Sequence, residues 1–543
     1  MTSGADPIEC LERVELAPDA QLGTVLRATR AIAAGDVVLR ERPLVVSAGY
    51  ADLMRQAGGG IDMDNATKFL LLGYSHGFAM GDPSAPYGMD LSLLPNEYQE
   101  RRGLMRLGGF MAPSCAPNCM RSARATPGYM TLVATRAIAA GDAVTRDAAR
   151  LADTTKACRE ETLLSRGVAC ACARCAAPDL AFSLPCPAAA AGRCRGTLAP
   201  MLPASSPWPA ANPADRAYVD GDELAAWTWQ CSRCALRLHG RAMLPRLQPA
   251  SALSQRLEAL DAALPYSDMD ARLHAPLTAL IADARRELCA THIVVHRALK
   301  TLAMLYVCTT VNYDDIAAAR LSDDDGSVIS SRARVLALAA KTEMDALRVL
   351  ECTVAGCDCG AECNANHQII KDGIPYTMNA VKSLQHASAA AAAEAPGTAV
   401  AAAAPAAAAA AIAAARCPRL VPHLRRYVPF FAATVGAQSD EALDMAAALG
   451  VLPGGDAPLY CANCLAVSAE AAALKSCGRC RCVRYCSAAC QRAHYARHHK
   501  RVCKRLAALA SEHGGGGGAG GAAPMDFSGI VGVEGDSALR IFR

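Results

Sequence analysis

Apolar residues in the first 46 positions come in short runs bounded by turn residues. Thr24-Val25-Leu26, Val37-Val38-Leu39 and Leu44-Val45-Val46 read as paired strands, with a turn at Ala34-Gly35-Asp36. The same words return further on: Ala28-Thr29-Arg30-Ala31-Ile32-Ala33-Ala34-Gly35-Asp36 is matched by Ala134-Thr135-Arg136-Ala137-Ile138-Ala139-Ala140-Gly141-Asp142. Two similar strand-turn units are therefore expected to flank a more helical insert around residues 50–107. Farther along the period changes. Leu253, Leu257, Leu260 and Leu264 fall on one helical stripe, and Ile293, Leu299, Leu302 and Leu305 on others, which predicts a helical domain over residues 251–387. Residues 388–416 form an Ala/Pro linker interrupted by Pro396 and Pro405, residues 418–452 read as helical again, and a Gly-rich tail occupies 513–543.

Composition changes this picture in three ways. At 543 residues the chain exceeds what one core supports, so several domains are expected. With 52% apolar residues it is not a disordered scaffold, and a net charge of only +4 supplies no global field for nucleic acid or an acidic membrane. The start, Met1-Thr2-Ser3-Gly4-Ala5-Asp6, has neither a basic segment nor an apolar one, so a secretory signal is not expected and an intracellular site, cytoplasmic or nuclear, is. The alanine-rich stretch 395–415 gains little from lipid, which argues against a membrane span. Twenty-six cysteines then read as reduced thiols and metal ligands.

Their spacing carries the chemistry. Cys461-x2-Cys464, Cys477-x2-Cys480, Cys486-x3-Cys490 and His499-x3-Cys503 supply eight ligands, enough for two tetrahedral zinc ions. Metal would let so short a segment fold without a large core. His498 adjoins His499 and competes for the histidine role; His499 keeps the three-residue gap to Cys503. No acidic residue lies between Glu470 and Glu512, and the basic side chains there offset zinc-bound thiolates more readily than they make a nucleic-acid patch. A second cluster is Cys170-x-Cys172-x2-Cys175, which needs a fourth ligand, and a third is Cys186, Cys194, Cys231 and Cys234. Cys352, Cys357, Cys359, Cys363 and His367 are irregularly spaced and read as buried or free thiols ahead of a further ion site.

The C-terminal spacing, with its Tyr485-Cys486-Ser487 and Cys490-Gln491 words, resembles the MYND zinc finger, in which the ligand pairs interleave. The resemblance implies the sets Cys461, Cys464, Cys486, Cys490 and Cys477, Cys480, His499, Cys503, with Tyr495 where the family has tryptophan. Ser114-Cys115-Ala116-Pro117-Asn118 resembles the end of the SET-domain word Asn-His-Ser-Cys-x-Pro-Asn, which implies that Cys115 completes the zinc site of Cys170, Cys172 and Cys175. The third cluster looks like the extra zinc ribbon of some SET/MYND relatives. The expected fold is therefore α+β: a SET-like domain over 15–155, a post-SET and zinc-ribbon region over 156–240, the helical parts, and a small cross-braced MYND finger over 461–503.

A SET domain implies transfer of methyl from S-adenosylmethionine to a lysine amine, a reaction that rests on alignment. Gly23 and Asn118 are the cofactor-contact positions that match. The departures fall on the chemistry: Ala112-Pro113 replaces Asn-His, Val25 stands at the second glycine, and Ala148 stands at the tyrosine of the Gly-Glu-Glu-x-Thr-x-x-Tyr word. Tyr129 and Tyr98 are the tyrosines that could substitute from another strand or the insert. Two readings compete: an interaction module on a SET scaffold with weakened or lost activity, and a lysine methyltransferase with divergent cofactor contacts. As a docking module, the finger is expected to take Pro-x-Leu-x-Pro peptides, including the chain's own Pro245–Pro249 and Pro418–Pro422 words.

Overall fold

The structure, a computed structural model, describes most of residues 8–514, apart from 48–101, 123–128, 148–153, 165–169, 202–226, 263–270, 310–330, 395–419, 453–459, 465–472 and a few shorter gaps. Ala148, Tyr98, Leu264 and the C-terminal tail lie outside the described residues, as does nearly all of the insert.

The N-terminal body is built from short strands: β1 (Ile8–Glu9), β2 (Val14–Asp19), β3 (Gly23–Ala28), β4 (Val37–Glu41), β5 (Val45–Ser47), β6 (Arg102–Leu104), β7 (Ala112–Ser114), β8 (Cys119–Ser122), β9 (Met130–Ala134) and β10 (Thr145–Asp147). The runs predicted as strands are strands, but they do not pair with one another. β3 pairs with β2, β4 lies between β1 and β9, and β5 pairs with β6. Residues 102–104, expected within a helical insert, are the partner strand of β5. Every residue of β4 and β9 is buried, because both faces of their sheet are covered. Leu39, Leu132 and Ala134 pack with Val14 and Leu26 on one side, while Met120 and Val133 join the larger core of the rest of the molecule.

The repeated words lock these units together. Ile32 and Ile138 exchange two backbone hydrogen bonds of 2.9 Å each. Ala28 N–H donates to Asp142 O (2.9 Å), and the equivalent Ala134 N–H donates to Asp36 O (2.9 Å). Gly35 N–H donates to Ala134 O and Gly141 N–H to Ala28 O, with Gly35 and Gly141 at φ of 88° and 84°. Each copy thus pairs with the other through the same bonds, an internal pseudo-twofold. The two glycines recur because both turns need the left-handed region.

After helix α1 (Lys156–Leu164) and the short α2 (Ala173–Ala176) comes a four-stranded antiparallel sheet of β11 (Leu184–Pro185), β12 (Thr197–Met201), β13 (Thr228–Cys231) and β14 (Arg237–His239). Trp229 is wholly buried there, its ring 5.7 Å from Phe182, which in turn lies 5.8 Å from His292 of the helical region. The helices follow: α3 (Gly240–Ala262), α4 (His274–Glu287), α5 (Ile293–Thr309), α6 (Arg332–Ala355), α7 (Gly373–Glu394), α8 (Leu420–Val435) and α9 (Asp440–Leu449). α6 is the central one, buried along nearly its whole length between α5 and α7. α7 is described as far as Glu394, well into the alanine stretch.

The finger comprises β15 (Lys475–Ser476), β16 (Arg484–Tyr485), α10 (Ala488–His494), a π-helical turn Tyr495–His499 and α11 (Lys500–Gly514). It does not hang free. Gln438 holds it with both ends of its amide, donating to Tyr460 O (2.7 Å) and accepting from Arg484 N–H (2.6 Å). α11 packs on α9, and Val483, Tyr485, Val502 and Leu506 share one apolar core with the helices. Among the described residues no helix is long and apolar enough to cross a membrane.

Candidate metal centres and the cofactor-facing region

In the finger the structure gathers Cys461, Cys464, Cys486 and Cys490 into one group and Cys477, Cys480, His499 and Cys503 into another, all ligand atoms of each within 4.8 Å of one another. The interleaving follows from topology: the β15–β16 hairpin places Cys477 and Cys480 beside the helix that carries His499 and Cys503, while Cys486 and Cys490 face back to the first pair. Sulfur separations of 3.5 Å (Cys464 to Cys486 and Cys486 to Cys490) and 3.8 Å (Cys477 to Cys503) match two thiolates on one tetrahedral zinc, about 3.8 Å for Zn–S bonds of about 2.3 Å. Ser487 caps α10, its hydroxyl accepting from Cys490 N–H, and so fixes the Cys486-x3-Cys490 turn. Arg481 adopts φ 59°, left-handed for a non-glycine residue, as the chain turns sharply after Cys480.

The two histidines part company. His499 Nε2 lies 3.3 Å from Cys480 Sγ, whereas His498 faces α9, 3.5 Å from Asp440. Burial lowers the His498 pKa, partly offset by Asp440. The π-helical turn Tyr495–His499 contains both residues; its extra residue per turn shifts the register at which they leave the helix. His494 donates or accepts between Tyr485 Oη (3.0 Å) and Asp440 (2.9 Å), a further link between finger and α9. Part of the basic excess is used here: Arg501 pairs with Asp444 at 3.2 Å and Arg505 donates to Ala448 O.

Cys115, Cys170, Cys172 and Cys175 also converge, Cys115 and Cys175 with sulfurs 3.4 Å apart. Cys115 leaves the end of β7, Cys170 and Cys172 precede α2 and Cys175 lies within it, so residues about 55 positions apart meet. Two buried guanidiniums stand beside them. Arg174 donates to Cys115 O (3.2 Å), and burial, with Arg159 nearby, lowers its pKa to about 10. Burial also opposes charge on Arg159, but Asp179 and the Cys115 and Cys175 thiolates outweigh it and raise its pKa. A zinc site with four thiolate ligands carries net charge of about −2, which such cations balance.

In the ribbon, Cys186, Cys194, Cys231 and Cys234 form a further group. Gly196 N–H donates to Cys194 Sγ (3.2 Å) and Arg233 N–H to Cys231 Sγ (3.4 Å), bonds that favour thiolate over thiol. Gly196 must be glycine: a Cβ there would come 2.5 Å from Cys231 Sγ. The donor sets at all four groups fit zinc. The structure also gathers Cys352, Cys357, Cys363 and His367, which the spacing assigned to free thiols, and leaves Cys359 exposed outside the group.

The cofactor-facing region is different in kind. Asn118 is 4% exposed and its amide is occupied at both ends: Nδ2 donates to Ala143 O (2.8 Å), while Oδ1 accepts from Thr145 N–H (2.7 Å) and Thr145 Oγ1 (2.9 Å). It ties the turn before β8 to β10. Gly23 sits exposed at φ 75° where the β2–β3 hairpin closes, opposite Asp19. Its conformation is explained by that turn. Ala112 and Pro113 pair in parallel with Thr145 and Arg146, and Val25 is 2% exposed. Asn118 is thus occupied in holding the fold, and Ala112, Pro113 and Val25 offer no amide or imidazole. Tyr129 is half-buried with the Arg42 guanidinium 5.5 Å over its ring.

The first proline word is helical. Pro245 and Pro249 lie inside α3, and Leu420 opens α8 with 1% exposure. In the second word Leu420 is buried in the helical core.

Residues 23–147 match the SET domain family and residues 461–503 match the MYND finger family. No curated protein matches the chain.

Proposed function

We propose that this chain, which joins a SET domain to a C-terminal MYND finger and binds zinc, is a protein-interaction module whose SET body has weakened or lost methyltransferase activity. The observation that carries the reading is the state of Asn118. The one polar family residue that survives next to the cofactor region has its amide engaged by Thr145 and Ala143, while Ala112, Pro113 and Val25 fill the other positions with apolar groups. In this reading Cys115, Cys170, Cys172 and Cys175 hold one zinc, Cys186, Cys194, Cys231 and Cys234 a second, and the finger two more through Cys461, Cys464, Cys486, Cys490 and Cys477, Cys480, His499, Cys503. The finger, fixed on α9, then offers its outer surface to Pro-x-Leu-x-Pro peptides of other proteins.

The alternative, a lysine methyltransferase with divergent contacts, draws support from Tyr129, the described tyrosine nearest in sequence to this region. The test uses the zinc-loaded full-length chain in two assays. Transfer of labelled methyl to a mixture of histone and non-histone proteins should stay at the no-enzyme level, and a Pro-x-Leu-x-Pro peptide should bind. Methyl transfer that is lost in Tyr129→Phe would replace this reading with the alternative.

A further inference from the structure

We propose that Cys352, Cys357, Cys363 and His367 form an additional structural zinc site, which pins the helical domain to the zinc ribbon. Their four ligand atoms lie within 4.8 Å of one another. Cys357 and Cys363 have sulfurs 3.7 Å apart, the separation of two thiolates on one tetrahedral zinc (about 3.8 Å), and His367 Nε2 is directed at Cys363 Sγ from 3.0 Å.

The local fold is built to bring them together. Cys352 lies in the last turn of α6 and is wholly buried. Gly356, left-handed at φ 74°, ends that helix, and Cys357 N–H donates back to Cys352 O (2.9 Å), so the chain reverses over the helix end. Gly360, again left-handed at φ 60°, makes a second turn in which its carbonyl accepts from Cys363 N–H (3.1 Å). A side chain at Gly360 would meet Ala290 Cβ at 2.5 Å, so this turn is pressed against the loop before α5.

The segment's own sequence supplies no apolar anchor. From Gly356 to Gln368 it reads Gly-Cys-Asp-Cys-Gly-Ala-Glu-Cys-Asn-Ala-Asn-His-Gln, with only two alanines besides the cysteines. A stretch with two glycines and no large apolar side chain has little to offset its ordering entropy, and an ion can supply that energy. The surroundings suit a site of net charge about −1. Arg426 donates to His367 O (2.5 Å) and approaches His423 Nδ1 (3.2 Å); His423 bonds Glu351 (3.1 Å), the neighbour of Cys352. Arg426 thereby fixes the backbone at His367.

The site also has a mechanical consequence. Asp358, one residue after Cys357, accepts from Thr197 Oγ1 (2.9 Å) and from Ser232 Oγ (3.4 Å), and Ser232 stands between Cys231 and Cys234 of the ribbon. An ion at Cys352/Cys357/Cys363/His367 thus fixes the loop that grips the knuckle of the neighbouring ribbon site.

The test uses the full-length protein purified without chelator, with zinc counted by native mass spectrometry and elemental analysis. The parent should hold five ions, one for each gathered group, and His367→Ala, as well as Cys357→Ser, should hold one fewer while both finger ions remain. An unchanged zinc count in folded variants overturns the proposal. Should a variant not fold, thiol labelling of the parent decides. Exposed Cys359 serves as the internal standard: Cys357 should react with N-ethylmaleimide at least about tenfold more slowly than Cys359 in the zinc-loaded protein and catch up after chelation. Equal labelling of Cys357 and Cys359 before chelation, or a Cys357–Cys363 disulfide in the freshly purified protein, overturns it.

Discussion

The finger and the SET body are held together by different things. In the finger, eight ligands at fixed spacing replace the core that holds other domains, so each must be a particular residue type. In the SET body the fold rests on apolar packing between Val14, Leu26, Leu39 and Leu132, and on backbone pairing of the two repeated words. Packing tolerates substitution as long as volume and pattern persist. Ala112, Pro113 and Val25 are compatible with such a body because they pack and pair, whereas Cys477 is a ligand position that no other side chain of similar size replaces. Cys115 and Asn118 persist in the body for the same reason: the first meets Cys170, Cys172 and Cys175, and the second stitches β10 to the turn before β8.

The sharpest way to break this contrast is to remove a metal ligand from each region. Cys477→Ser should cost the finger one ion and its folded state, a loss on the order of several kcal/mol locally, while the SET core stays folded; circular dichroism and zinc analysis check both. Cys115→Ser should likewise release one ion, and it leaves Arg159 and Arg174 as buried cations short of counter-charge. Should Cys477→Ser keep its full zinc content, the interleaved assignment is wrong.

The helical region, held by packing, should respond to pH through a buried carboxyl. Glu343 on α6 has its pKa raised to about 8 by burial, with only Asn379 and, more distantly, Lys300 opposing. A carboxyl whose folded pKa exceeds its unfolded value stabilises the fold when protonated, fully so below the unfolded pKa, and that contribution is lost as pH rises toward 8. Glu343→Gln should therefore resemble the parent near about pH 5 and exceed it by a few kcal/mol near about pH 9. Parallel stability curves for the two proteins across that range would contradict the burial argument.

Smaller in effect, Asn118→Ala removes the buried bonds to Thr145 and Ala143 and should cost about 2–3 kcal/mol of stability by denaturant unfolding. A structural asparagine predicts that loss. Unchanged stability would return Asn118 to the cofactor side of the comparison. The smallest effect is expected for His498→Ala, about 1 kcal/mol with zinc retained, because it loses a half-screened contact with Asp440. His499→Ala, by contrast, should lose an ion.

Much of this was legible in the sequence because ligand spacing is local and metal chemistry admits few residue types. The finger's pairs, the Cys115 partnership and the ribbon group were all named from residues and their family resemblance, and the structure gathers each of them. Strand pairing was less legible. β3 and β4 read as partners, but their true partners include β1 and β2, and residues 8–19 show too weak an alternation to announce themselves. The helix through Pro245 and Pro249 was hidden for a related reason: within α3 the tertiary packing of Met243, Leu253 and Leu257 outweighs the breaking tendency of proline. The residues around Cys352 read as free thiols ahead of an ion site because their spacing is irregular: one ligand comes from a helix end and three from a loop folded back on it.

The most direct test of the central claim, that the SET body persists as a scaffold without its cofactor pocket, is calorimetric titration of the zinc-loaded full-length protein with S-adenosylmethionine. The account predicts no saturable heat of binding, since Asn118 is committed to Thr145 and Ala143, and Ala112 and Pro113 offer nothing in its place. Stoichiometric binding at micromolar affinity would contradict it.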